Sequence, residues 1–352
     1  MFGIYVHIPF CKRKCLYCDF PSFSNIFHLE NDYVSALIYE IGTYDRICAD
    51  TVYFGGGTPS SLSEDSILRV LDEIYKKFDI AGNAEITIEV NPGTATFEKL
   101  KKLKASGFNR ISIGAQSFLD EELKRLGRIH NASEIYETVN WARLAGFGNI
   151  SLDLMFGLPG QKADDFLYSL CEGIKLDVNH ISAYSLILEE GTPFYEMDLD
   201  LPDEEDERRM YHLMAQRLKE AGFIHYEISN FAKEGFMSRH NMKYWLMEDY
   251  IGLGLGAHSF FGKTRYYNTL LLPEYLKHEG LKNVGEKLSD EDFKKERIWL
   301  GLRLIDGVSY FGEFPEITNK LINQGLVEIK EGNIKLTDKA LDIANRVFME
   351  YV

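Results

Sequence analysis

Cysteine is scarce: five residues in a chain of 352, too few for the disulfide framework that holds small secreted folds together. Basic residues are outnumbered, with 39 Lys and Arg against 54 Asp and Glu and a formal charge of −15. That balance opposes contact with phosphate backbones or anionic lipid and argues against nucleic acid as a main partner. No apolar run reaches the roughly 20 residues that a membrane-spanning helix needs. The most apolar stretch, 250–262, is broken by Gly252, Gly254 and Gly256 and carries His258. The first ten residues lack the basic and apolar regions of a signal peptide, so the expected location is the cytoplasm. What the chain does have is 45% hydrophobic and 26% charged residues, a folded composition with material for a large core or two.

Short β-rich runs recur at 4–8, 51–54, 85–90, 110–115, 149–156 and 180–186, and segments with helical spacing lie between them at 32–44, 64–77, 96–105, 132–145 and 163–175. Strand and helix therefore alternate, which predicts a parallel sheet with helical crossovers. Ser63 with its following acids reads as a helix N-cap, and Gly107 and Gly146 as helix stops. Six such units fall short of eight, so the expected fold is α/β: a partial, open TIM-like barrel of six strand–helix units. Unusual residues gather where strands end: the cysteines after the first, Gly55-Gly56-Gly57-Thr58-Pro59 after the second, Glu89 and Asn91 at the third, Gln116 at the fourth, Asp153 in the fifth. In parallel α/β folds those carboxyl ends bind ligands.

An acidic run at 202–207 opens a helix to about Glu220, and there the alternation stops. The expected domains are accordingly 1–222 and 223–352. The second holds a strand at 226–229, the glycine-rich stretch at 252–256 and a helix at 291–304. It ends in a helix near 316–324, strands at 326–330 and 333–336 and a last helix from Asp338. Helix, hairpin and helix suggest a winged-helix-like unit over about 291–352. Its acids Glu328, Glu331, Asp338, Asp342 and Glu350 favour packing over DNA reading.

Three of the cysteines, Cys11, Cys15 and Cys18, crowd into one short segment. Thiolates at this spacing can hold three irons of a cubane cluster and leave the fourth open. The alternative is a closed zinc knot with His7 or Asp19 as fourth ligand. Cys48 and Cys171 read as isolated residues on helical or helix-end segments, the default for which is a small buried apolar side chain. His7 faces either the cluster or the barrel interior, and His258 is open to a place near a bound nucleoside.

Residues 11–18, Cys-Lys-Arg-Lys-Cys-Leu-Tyr-Cys, resemble the signature of the radical S-adenosylmethionine superfamily, and 55–59 resemble its glycine motif. The resemblance implies a [4Fe-4S] cluster on Cys11, Cys15 and Cys18, with S-adenosylmethionine chelated by the open iron and cleaved by one electron to a 5′-deoxyadenosyl radical. It places Tyr5, Tyr17, Gly56, Gly57, Thr58, Glu89, Gln116, Arg128 and Asp153 around S-adenosylmethionine. The residue types suit such a ligand. Glycines admit close backbone approach, carboxylates suit ribose hydroxyls or an ammonium group, and Arg128 suits a carboxylate.

In the second half, 226–232, 238–245 and 252–259 resemble the HemW-type haem chaperones. That implies a carrier that binds haem and passes it to an acceptor protein, with His240 on the iron and Tyr244 and Trp245 as a flat apolar wall. Taken alone, His240 reads as a hydrogen-bonded loop histidine. No catalytic residue is assigned. The competing resemblance is to the oxygen-independent coproporphyrinogen III dehydrogenases, which share the radical core. They carry a fourth cysteine where this chain has Phe20, and a long extension where ten residues precede Cys11.

Overall fold

The structure is a computed structural model that describes residues 1–352. Six parallel strands stand side by side in chain order: β1 (Phe2–Ile8), β2 (Cys48–Gly56), β3 (Asp79–Val90), β4 (Arg110–Gln116), β5 (Asn149–Phe156) and β6 (His180–Ser185). Between them run α1 (Glu30–Gly42), α2 (Glu64–Lys77), α3 (Phe97–Ala105), α4 (Asp120–Arg125), α5 (Ala132–Leu144) and α6 (Ala163–Lys175). Ser63 caps α2 by accepting from the Ser66 N–H, as its sequence predicts.

Successive residues of a strand face opposite ways, and here the two faces differ in chemistry. One face carries Ile4, Val6, Val52, Phe54, Ile86, Ile88, Ile111, Ile113, Ile150 and Leu152, which join Leu37, Val70, Leu103, Val139 and Phe166 of the helices in one core of 56 buried residues. The other face carries Tyr5, His7, Tyr53, Glu89, Arg110, Ser112, Gln116, Asp153, Ser182 and Tyr184. These residues bond to one another or line cavities. Stability thus comes from the outer, helix-covered layer, and the inside of the barrel is free to be polar.

After β6 and α7 (Glu204–Glu220), the hairpin β7 (Ile224–Glu227) and β8 (Asn230–Ala232) pairs antiparallel onto β6. Following α8 (Arg239–Trp245), β9 (Tyr250–Leu253) pairs parallel to β1, and β10 (His258–Phe261), β11 (Thr264–Tyr267) and, past α9 (Leu272–Leu276), β12 (Asn283–Lys287) extend that edge into a 12-stranded sheet. The added strands carry the two edges of the sheet outward to β7 and β12. The strand expected at 226–229 is therefore the hairpin β7–β8. The barrel core also continues through Ile251, Leu253, Leu272 and Tyr275, whereas a second core of 13 residues begins at Ile298. The end of the strand–helix alternation near residue 222 is therefore not the end of the sheet.

The last unit is α10 (Asp290–Gly301), β13 (Val308–Ser309), α11 (Pro315–Asn323) and the hairpin β14 (Val327–Lys330) and β15 (Asn333–Leu336), with strand order β13-β15-β14. The single helix expected from Asp338 is instead a 3₁₀ segment, Asp338–Ile343, followed by α12 (Ala344–Phe348). At the break, Asp342 is pinned to α7 by Arg208 Nε at 2.6 Å and His212 Nε2 at 3.1 Å. Cys48 also departs from expectation: it opens β2, opposite Asp79, and is exposed. Cys171 lies half-buried in α6. No helix is long and apolar enough to cross a membrane.

Candidate cofactor site at the mouth of the barrel

The segment leaving β1 carries the three cysteines and is tied down along its length. Cys11 N–H donates to Phe23 O at 3.0 Å, Phe23 N–H to Pro9 O at 2.8 Å, Leu16 N–H to Leu126 O at 3.1 Å, and Phe194 N–H to Leu16 O at 3.0 Å. Phe10, fully buried against Phe27 and Tyr33, anchors its start. Cys11, Cys15 and Cys18 consequently line one cavity over the carboxyl ends of the strands. Burial pushes the Cys11 thiol up and the Cys18 thiol up to about 11, so these thiols become ligands only when a cationic centre repays their deprotonation. No three His, Cys, Asp or Glu side chains converge closely enough to hold a single ion. His7 points its Nε2 at Pro21 O, 2.8 Å away, and Asp19 is exposed. The two candidate fourth ligands of a closed zinc knot are thus turned to another partner or to solvent, and three thiols lining one cavity suit a multinuclear cluster.

The glycine turn packs beneath this loop. Gly57 N–H donates to Ile8 O and Thr58 N–H to Phe10 O, both at 2.8 Å. These two donors are spent on the cysteine loop, so what the turn offers a ligand is carbonyl oxygen, the partner an ammonium group requires. Glycine is obligatory at two positions. Gly56 has φ +110° and a Cβ there would lie 2.6 Å from the His7 ring; one on Gly57 would lie 2.8 Å from Phe10 O and 3.0 Å from Cys11 Sγ.

Arg128 joins the parts. Its Nη2 donates to Asn91 Oδ1 at 2.7 Å and to Gly114 O at 2.6 Å, and its Nη1 stands 3.5 Å from Cys15 Sγ. Asn91 Nδ2 in turn donates to Thr58 Oγ1 at 2.8 Å, itself 3.6 Å from Cys11 Sγ. On the opposite wall Ser112 donates to Asp153 at 3.1 Å, Tyr53 OH to Glu89 Oε1 at 2.8 Å, and Tyr184 OH to Gln116 Oε1 at 3.2 Å. Gln116 holds φ +64°, a conformation that costs energy for a non-glycine residue and is found where function fixes it. Burial pushes Glu89 up to about 7 and raises Asp153, so a bound cation would draw both into their ionised forms.

Tyr17, Gly56, Gly57, Thr58, Glu89, Gln116, Arg128 and Asp153 all line the cavity with the cysteines. Tyr5 does not: it sits one layer below, stacked near Tyr53 with its hydroxyl 3.1 Å from His7 Nδ1. Asn91, expected only as a strand-end residue, lines the cavity too, as do Ser112 and Tyr184, which were not among the expected residues. The period-two rule could have found them, since Ser112 shares a face with Gln116 and Tyr184 aligns near Asp153 through the β5–β6 register. His7 faces the barrel interior beside Gly56. His258 is exposed at the start of β10.

His240 lies elsewhere, on α8, which plugs the amino-terminal end of the barrel. Its Nδ1 is 2.8 Å from Thr51 Oγ1 and its Nε2 2.8 Å from Tyr244 OH, and its ring stacks on Tyr53 with centroids 5.2 Å apart. Glu85 accepts the N–H groups of both Arg239 and His240 at 3.1 Å. The ring is 1% exposed, and burial pushes its pKa down to about 3. As placed, neither nitrogen is free to bind iron. Tyr244 stands edge-on to His240, and Trp245 stacks under Arg303 with 4.3 Å from guanidinium carbon to ring centroid. The two do not form a flat open wall.

Residues 5–170, which include the cysteines, the glycine turn and every lining residue through Asp153, match the Radical SAM superfamily. Beyond that segment, the heme chaperone HemW of Bacillus subtilis is 37% identical over 99% of this chain and 98% of its own length. The heme chaperone HemW of Lactococcus lactis is 36% identical over 99% of this chain and 96% of its own. The chain belongs to the HemW family. Among solved structures, coproporphyrinogen III oxidase (HemN) from Escherichia coli superposes with a TM-score of 0.88 over 99% of this chain and 89% of that one, at 24% identity. The superposition thus takes in nearly the whole of this chain, partial barrel and terminal unit together.

Proposed function

We propose that this protein is a cytoplasmic haem chaperone that carries haem to an acceptor protein, with a [4Fe-4S] cluster on Cys11, Cys15 and Cys18 and S-adenosylmethionine in the cavity beside them. The observation that carries the reading is the near end-to-end similarity to the HemW chaperones. It gains support from the shape of the interior. The cavity over the cysteines shares Tyr17, Phe20 and Tyr184 with a second one along the lumen, which shares Tyr184, Ser185 and Ile187 with a third against the terminal unit. A large flat ligand needs such a continuous slot. Phe20 (58% exposed) and Ile187 (66% exposed) add apolar surface beside it.

When bound, cluster and S-adenosylmethionine supply one-electron chemistry. The chain's own residues do the holding: the glycine-turn carbonyls and Glu89 face an ammonium or hydroxyl group, and Arg128 holds the turn to β4. His240 serves as a haem ligand only in a state in which α8 has left the barrel floor. Anaerobic reconstitution followed by haem titration of wild type and His240→Ala tests this: stoichiometric haem binding by wild type is the expected result. Formation of protoporphyrinogen IX from coproporphyrinogen III by the reduced, S-adenosylmethionine-loaded protein would overturn the carrier reading in favour of a dehydrogenase.

A further inference from the structure

Arg110 opens β4 and is the largest fully buried side chain in the molecule, 2% exposed, yet its Nε and Nη1 have no hydrogen-bond partner. A guanidinium stripped of water and left unpaired is among the costlier things a fold can contain, and it persists where something else completes it. No group of the chain hydrogen-bonds to these two nitrogens. The acids nearest in the lumen, Glu89 and Asp153, make their hydrogen bonds to Tyr53 and Ser112 and none to Arg110. Burial raises both carboxyls, and the Arg110 charge pulls each part of the way back without a hydrogen bond between them. Arg110 borders the lumen cavity, whose lining holds the neutral polar groups Ser182, Asn230 and Asn241 as well as the acids Asp19, Glu89, Asp153 and Glu189. That cavity opens towards the cysteines past Cys18 and Phe20.

We propose that Arg110 is an anion seat at the floor of the lumen that receives a carboxylate arm of the flat ligand occupying the slot. The proposal rests on the haem reading above, because haem is an apolar ring bearing two propionate carboxylates. The ring suits the apolar surface of Phe20 and Ile187, and a carboxylate suits the unmet forked donors of Arg110. S-adenosylmethionine also carries a carboxylate, so the test separates the two sources.

Wild type and Arg110→Gln are titrated anaerobically with haem, with haem dimethyl ester and with S-adenosylmethionine, and the ligand-free proteins are unfolded in urea. Loss of a charge-assisted hydrogen bond is expected to weaken haem binding by about ten- to a hundredfold in Arg110→Gln. The diester, which has no carboxylate, should bind both proteins equally, and S-adenosylmethionine affinity should be unchanged. An unmet buried charge costs the empty fold, so the variant should be at least as stable as wild type. Equal haem affinity in the two proteins, a loss confined to S-adenosylmethionine, or a marked fall in the stability of the empty variant would each overturn the seat while leaving the haem reading standing. Failure of wild type to bind haem at all would overturn both.

Discussion

The Glu89 carboxyl offers a test of the site's electrostatics that needs no cofactor. Burial moves its pKa from about 4.5 to about 7, against the lowering effect of the Tyr53 hydrogen bond and with a further push from Asp153. A raised carboxyl pKa means that the folded state holds a proton the unfolded chain has released. Stability from this group is therefore full below about pH 4.5, falls as pH rises towards 7, and stays low above it. The rise from about 4.5 to about 7 corresponds to a ceiling of about 3 kcal/mol, reduced to the extent that water in the cavity reaches the carboxylate. Glu89→Gln keeps the shape and an acceptor for Tyr53 and removes the ionisation. Urea unfolding of the ligand-free proteins at several pH values should show the variant gaining on wild type by about 2 kcal/mol between pH 5 and pH 8. In wild type, S-adenosylmethionine, whose ammonium and sulfonium groups favour the carboxylate, should bind more tightly as pH rises towards 7 and release a proton as it does. A stability difference that does not change with pH, or one that shrinks as pH rises, would refute the reasoning.

Gly56→Ala places a methyl group against His7 at a positive φ; it should cost about 2 kcal/mol or more in urea unfolding and prevent reconstitution of the brown cluster. Cys11→Ala, Cys15→Ala or Cys18→Ala should each abolish acid-labile sulfide after reconstitution, while Cys48→Ala and Cys171→Ala retain it, as measured by iron and sulfide assay. His240→Ala leaves Thr51 and Tyr244 without their partner inside a buried gap, so the ligand-free variant should lose about 2–4 kcal/mol; unchanged stability would show that α8 is not a structural plug.

The barrel was legible because its signals are local. Each parallel strand is a short β-branched run, and each connecting helix announces itself by periodicity and caps. The cysteine spacing and glycine turn were legible for the same reason, since a cluster loop and a close backbone approach both write themselves into adjacent residues. The arrangements that escaped depend on contacts between distant segments. Nothing around residue 223 signals that β7–β8 and β9–β12 will add to both edges of a sheet already formed. Nothing in 238–245 shows that His240 will spend both ring nitrogens on Thr51 and Tyr244. Asn91 was visible as a strand-end residue, but its role as the link between Thr58 and Arg128 exists only once β2, β3 and the turn after α4 meet. Arg110 escaped because a basic residue at the head of a strand reads as exposed; only the register of β4 against β3 and β5 turns it inward.

The α8 plug also bears on how the molecule is made. Thr51 and His240 are 189 positions apart, and Lys243 reaches back 242 positions to the carbonyl of Met1. A ribosome emitting this chain releases all six parallel strands before it releases the stopper for their lower end. The nascent barrel therefore has its polar lumen open to water from beneath for as long as the intervening residues take to appear, a long-range closure of the kind that slows folding. The arrival of residues 239–245 is therefore the moment at which the lower end of the barrel is stoppered.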